Sequence, residues 1–249
     1  MTPEIPYKPK AVDPIECIKS GWEIVKPNYM LFVGMCFIGY FIGSAVPLGI
    51  LMGPMMAGMY TCLFAARRRV EPVEFGMLFK GFDFFGPSLI ATLLHMVPIM
   101  AIVIPTYVLF YAGIFFAAAA QTQTNSPAPV LGLFVVFFFA MMVISILIVI
   151  ISIGFTFAYP LIVDRKLAGF DAVKLSFKAA LANFWRLLGM MLLTGLLTFV
   201  GMCCFIVGMF FVLPIVYGAI ASAYEQVFGL RDSREFEPDL PPPPPVFES

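Results

Sequence analysis

The chemistry this sequence offers is carried by Asp83, His95, Asp164 and the run Arg67, Arg68, Arg69. His95 is the sole histidine, and it stands in an 80-residue stretch without Asp, Glu, Lys or Arg. Ser88 and Thr92 precede it at helical spacing. An imidazole in such surroundings can contact a proton or a substrate. A relay or a metal cage, however, needs further ionisable ligands in the same stretch, and none is there. A neutral histidine bonded to a neighbouring helix is the simpler reading. Asp83 and Asp164 bracket the stretch. If the helices between them are antiparallel neighbours, the two carboxylates approach each other near Lys80, Arg165 and Arg186, a cluster suited to a lipid headgroup or a divalent ion. The plainer alternative makes both of them helix ends at the membrane surface. The three arginines suit anionic lipid heads, at about 1 kcal/mol each near the surface. There is no P-loop, HExxH, GxSxG, Cys/His pairing or aspartate cluster, so the sequence predicts a non-catalytic protein without a cofactor.

The elements that must position these residues follow from where the charges are absent. Of 249 residues, 61% are hydrophobic and 12% charged, with a mean hydropathy of +0.97. This composition excludes a disordered chain, a nucleic-acid binder and nearly any soluble enzyme. Three blocks of 40, 80 and 38 residues, between Lys26 and Arg67, Asp83 and Asp164, and Arg186 and Glu225, hold no formal charge. A crossing needs roughly 20 apolar residues. The predicted fold is therefore an all-α polytopic membrane helix bundle of about six transmembrane helices, at 29–46, 48–66, 84–120, 130–163, 187–207 and 209–225. The third and fourth are long single helices bent at Pro98, Pro105 and Pro160; if each were itself a hairpin, there would be eight crossings. Every Lys and Arg lies outside the blocks, while the loop Gln121–Pro129 is uncharged. The positive-inside rule then places both termini in the cytoplasm and the chain in the plasma (inner) membrane. Residues 1–28 lack the apolar core of a cleavable signal peptide.

A cytoplasmic segment at 1–12 leads into a single membrane domain at 13–228. Within it, short amphipathic helices at 14–26, 72–82 and 168–184 are expected to lie in the inner interface. Asp13-Pro14-Ile15-Glu16 is a strong helix start, with Asp as the cap and Pro in the first position. Their apolar stripes are Ile15, Ile18, Trp22 and Val25; Phe75, Leu78, Phe79 and Phe82; and Phe170, Val173, Phe177, Leu181 and Phe184. Lys19, Trp22, Asn28 and Tyr29 align with Lys174, Phe177, Asn183 and Phe184, and Pro54–Gly58 aligns with Pro214–Gly218, which predicts an internal repeat. Gly39–Gly43 and Gly49–Gly53 are GxxxG patterns that allow close helix approach. The five cysteines form no CxxC pair, and Cys36, Cys62, Cys203 and Cys204 lie in apolar runs, so they read as buried hydrophobes. The tail at 229–249 carries five consecutive prolines. It must be extended, either as a stiff solvated spacer or as a ligand for a polyproline-binding partner.

The run Tyr159-Pro-Leu-Ile-Val-Asp164, Asn183-Phe184-Trp185, Leu213-Pro214, and the N-terminal Gly21-Trp22, Pro47, Gly53-Pro54 and Gly58 resemble a broad prokaryotic family of uncharacterised six-helix integral membrane proteins. That family is related to the membrane domain fused to some glycerophosphodiester phosphodiesterases. The resemblance spans residues 13–228 and implies architecture rather than activity, since no phosphodiesterase domain is present. The function that best fits is the organisation of lipid or partner proteins in the membrane, with membrane lipids and other membrane proteins as partners and no nucleic acid. The alternative is a transporter or channel for an uncharged or lipidic substrate, which needs a polar cavity lined by Thr92, His95, Thr156 and Tyr159. A third reading, lipid-modifying catalysis, needs Asp83 and Asp164 side by side.

Overall fold

The computed structural model describes residues 5–46, 49–69, 72–124, 126–203 and 205–230. Among these there is no strand, and the order is α1 (Pro14–Val25), α2 (Tyr29–Ala45), α3 (Met52–Arg68), a 3-10 helix (Phe75–Phe84), α4 (Phe85–Thr124), α5 (Ala128–Phe155), α6 (Ala158–Arg165), α7 (Gly169–Ala182), α8 (Phe184–Cys203) and α9 (Phe205–Phe228). Five stretches are long and apolar enough to cross a membrane: Pro14–Ala45, Phe75–Thr122, Ala128–Arg165, Phe184–Cys203 and Val207–Phe228. The segment expected at 48–66 is present as α3. With 17 residues it is too short to rank with those five, and ten of its residues, from Gly53 to Phe64, are buried. The two long apolar segments are single helices rather than hairpins.

α4 has 40 residues, about 60 Å at 1.5 Å per residue, roughly twice the thickness of a hydrocarbon core. It continues through Pro98 and Pro105 and pairs with α5 through stacked Phe110 and Phe137, 3.8 Å apart. Between Leu93 and Ser152 no described residue is buried. The core lies instead where the charged residues are, in α1, α3, α6, α7 and the C-terminal half of α9.

α5 ends at Phe155 and α6 starts at Ala158. Pro160 lacks the N–H that would bond to the Thr156 carbonyl, so the helix parts there, as expected. Ser176 of α7 repairs the break: its hydroxyl donates to the Gly154 carbonyl at 2.6 Å and accepts the Phe157 N–H at 3.1 Å.

In the amphipathic segments the closest packing is made by small residues, while large side chains of each apolar stripe stay exposed. α1 starts as expected, with the Asp13 carboxylate accepting the N–H groups of Ile15 and Glu16. Its buried residues are Cys17, Gly21, Ile24 and Val25, whereas Ile15 and Trp22 are exposed. α1 runs antiparallel to α9: the Asp13 N–H donates to Gln226 Oε1 at 2.8 Å, and Gly21 abuts the backbone of Gly218 and Ala219 with no room for a Cβ. The second segment is a 3-10 helix with Met77, Leu78 and Gly81 buried and Phe79 and Phe82 exposed. It runs back along α3, the Leu78 carbonyl lying on Gly58 and Gly81 lying on Pro54 and Gly58. α7 buries Gly169, Ala172, Val173, Ser176, Ala179 and Ala180 and exposes Phe170 and Leu181. The reason is the same in each case. In lipid, helices gain by close backbone approach through small residues, and large apolar side chains are well solvated outside. A stripe picked by hydrophobicity finds the outer face. Cys36 and Cys62 are buried as expected for the apolar runs, and Cys17 is buried too, but Cys203 is exposed, and Cys204 lies outside the described residues. The proline-rich tail beyond Leu230 also lies outside them.

Candidate functional site

Three helix C-termini converge on Asp164. α3 brings Arg67 and Arg68, α6 brings Asp164 and Arg165, and α9 brings Tyr224 and Glu225. The Asp164 side chain is fully buried. Its Oδ1 accepts from Arg68 Nη2, and its Oδ2 accepts from the Tyr224 hydroxyl at 2.8 Å. Arg165 Nε lies 3.2 Å from Oδ2, near enough for charge attraction but off the hydrogen-bonding line. The Arg165 guanidinium continues to the end of α9, where Nη2 donates to the carbonyls of Phe228 and Gly229. Arg67 pairs with Glu225, Nε to Oε2 at 2.8 Å and Nη2 to Oε1 at 3.3 Å.

The electrostatic logic starts from the helix ends. Unsatisfied carbonyls make each C-terminus partly negative, which favours cations there and opposes a carboxylate. Asp164 is held in that setting by hydrogen bonds from α3 and α9 and by the charge of the adjoining Arg165. Both of its oxygens are engaged by the protein, so the arrangement joins α3, α6 and α9. Arg69 is exposed and ends α3 in the left-handed conformation, φ 54°.

Asp83 does not join this cluster. It is exposed near the end of the 3-10 helix, whereas Asp164 is sealed among Arg68, Arg165 and Tyr224. Arg186 is elsewhere again, its Nη1 donating to the Val12 carbonyl.

The second polar set does come together. The Thr92 hydroxyl donates to the Ser88 carbonyl at 2.8 Å and lies 3.0 Å from the Tyr159 hydroxyl, all three residues being buried. His95 Nε2 lies 3.3 Å from Ser152 Oγ, and its ring stacks on Phe155 at 4.5 Å. The Thr156 hydroxyl donates to the Ser152 carbonyl. These groups are spent on one another and on the backbone where α4, α5 and α6 meet. Gly53 of α3 closes on the same place, a Cβ there falling 2.5 Å from Thr92 Oγ1. Among the described residues, no three His, Cys, Asp or Glu side chains stand close enough to share a metal ion.

Tyr224, Glu225 and Asn183 are the residues that reading the sequence missed as contacts. Asn183, between α7 and α8, accepts the Ala11 N–H at 2.9 Å and donates to the carbonyls of Lys8 and Ala179. It thereby straps the N-terminal segment across the bundle. The signal was faint: Tyr224-Glu225 ends the third charge-free block, and Asn183 interrupts an otherwise helical run. No family model, curated protein or solved structure matches the chain.

Proposed function

We propose that the chain is a non-catalytic integral protein of the plasma (inner) membrane, with both termini cytoplasmic, that organises lipid or partner proteins. The observation that carries this reading is the α4–α5 arm. About 60 Å of apolar helix returns on itself, with none of the described residues between Leu93 and Ser152 buried. An apolar surface of that extent is stable only against lipid or another membrane protein. The ionisable candidates support the same reading, since Arg67, Arg68 and Asp164 hold helix ends together. The resemblance to six-helix prokaryotic membrane proteins fits it as well. The transporter alternative asks Thr92, His95, Thr156 and Tyr159 to face a cavity, while Thr92 and Tyr159 bond to each other, His95 lies on Ser152, and Thr156 bonds back to its own helix. The test is recovery of the full chain after mild solubilisation of native membranes. A co-purifying membrane protein, or lipid enriched over the bulk, is expected. A chain recovered alone, with lipid of bulk composition, overturns the proposal.

A further inference from the structure

The outward faces of α1 and α7 share a build and differ in charge. On α1 the exposed residues include Ile15, Lys19, Trp22 and Lys26, interleaved with exposed Glu16 and Glu23. Two acids and two bases cancel there. On α7 the outward stripe is Phe170, Lys174, Lys178 and Leu181, successive residues four or three apart and so on one side of the helix. Phe170 is 62% exposed and Leu181 68% exposed. The position aligned with Glu23 is Lys178. Its nearest acid along the chain is Asp171, half-buried in the first turn, where the helix dipole suits it.

This stripe cannot stand far from the membrane. After α7 the chain passes only Asn183 before entering α8, an apolar helix of membrane-spanning length. Trp185, 79% exposed, stands at that entrance, with exposed Arg186 beside it. Large apolar side chains flanking lysines, ending in an indole at the start of a spanning helix, match the boundary between headgroup and acyl chain.

We infer that the outer face of α7, through Lys174 and Lys178, binds anionic phospholipid of the cytoplasmic leaflet, while the matching face of α1 does not. The lysine ammonium groups meet the phosphate, and Phe170, Leu181 and Trp185 lie against the first acyl methylenes. This rests on the reading proposed above and names the lipid class involved.

The two tryptophans of the chain make the test local. In full-length W22F protein reconstituted in phosphatidylcholine vesicles, Trp185 is the only indole. Its quenching by acyl-brominated phosphatidylglycerol is compared with quenching by brominated phosphatidylcholine. Each lysine that meets an anionic head contributes about fivefold, so a preference for phosphatidylglycerol of fivefold or more is expected. It should vanish in K174Q/K178Q, persist in K174R/K178R and weaken with added salt. In W185F protein, Trp22 should show no comparable preference. Equal quenching by the two lipids, or a preference untouched by K174Q/K178Q, overturns the inference. So does the same preference at Trp22, which would make the attraction diffuse. If the lipids quench equally and K174Q/K178Q instead abolishes recovery of a protein partner, the face belongs to an acidic protein. The lipid assignment then fails while the organising role stands.

Discussion

Replacing Asp164 by asparagine keeps the shape of the side chain and removes the charge on which α3, α6 and α9 converge. In the native arrangement the carboxylate is fully buried, while the Arg68 and Arg165 side chains are 22% and 23% exposed. Removing one member of a buried pair typically costs 3–5 kcal/mol, because the partner charge is left uncompensated. Here two guanidiniums lose their counter-charge, but each touches solvent and recovers some hydration, which favours the lower end, about 3 kcal/mol. For a chain of this size that is a fall in melting temperature of roughly 6–12 °C. The assay is thermal denaturation of purified D164N in mild detergent, followed by loss of the monodisperse peak on size exclusion. D83N is the control. Asp83 is exposed, and an exposed substitution of this kind changes stability by about 0.5 kcal/mol or less. R68Q/D164N should lose less than the sum of its single variants, since the two groups interact directly. A D164N protein melting within about 2 °C of the parent, or D83N falling as far as D164N, refutes the reasoning.

Gly58→Ala would drive a methyl into the Leu78 carbonyl, backbone against backbone, and should cost about 2 kcal/mol or more. Gly195→Ala, where a Cβ meets nothing within 4 Å, should be neutral or stabilising by about 0.5–1 kcal/mol; melting curves of the two variants compare them directly. Ser176→Ala leaves the Phe157 N–H and the Gly154 carbonyl buried without their shared partner, at about 1–3 kcal/mol for such groups; an unchanged melting temperature would show the kink to be repaired otherwise. Asn183→Ala removes the hydrogen bonds to Lys8 and Ala11, so trypsin should cut after Lys10 many times faster than in the parent, and an equal rate contradicts the strap. For topology, a cysteine placed at Gln121 should react with an impermeant maleimide in intact cells and one at Lys10 should not; the reverse pattern overturns the orientation.

Several features were legible because they depend on local chemistry. The N-cap at Asp13 needs only a carboxylate followed by Pro14. The parting of the helix before Pro160 needs only the missing N–H. The GxxxG residues Gly39 and Gly43 do pack against α3, on Met55 and Met52. What hydrophobicity left open was which residues of these segments pack against the bundle. Trp22, Phe79 and Phe170 are among the most apolar residues of their segments, and all three face outward. Gly21, Gly81 and Ser176 lie beneath them, because in lipid the inside is selected by size and hydrogen bonding.

By itself, then, the sequence determined that the chain is helical and built for a membrane, because long charge-free blocks have no other stable environment. It also determined where individual helices begin and bend, because caps and prolines act within one turn. Only the tertiary structure decided which ionisable residues meet. Asp83 and Asp164, symmetric about one apolar block in the sequence, part company, one outside and one enclosed by Arg68, Arg165 and Tyr224. Partners drawn from helices so far apart in the chain are set by packing between small residues, and such packing leaves no periodic mark from which a contact can be read.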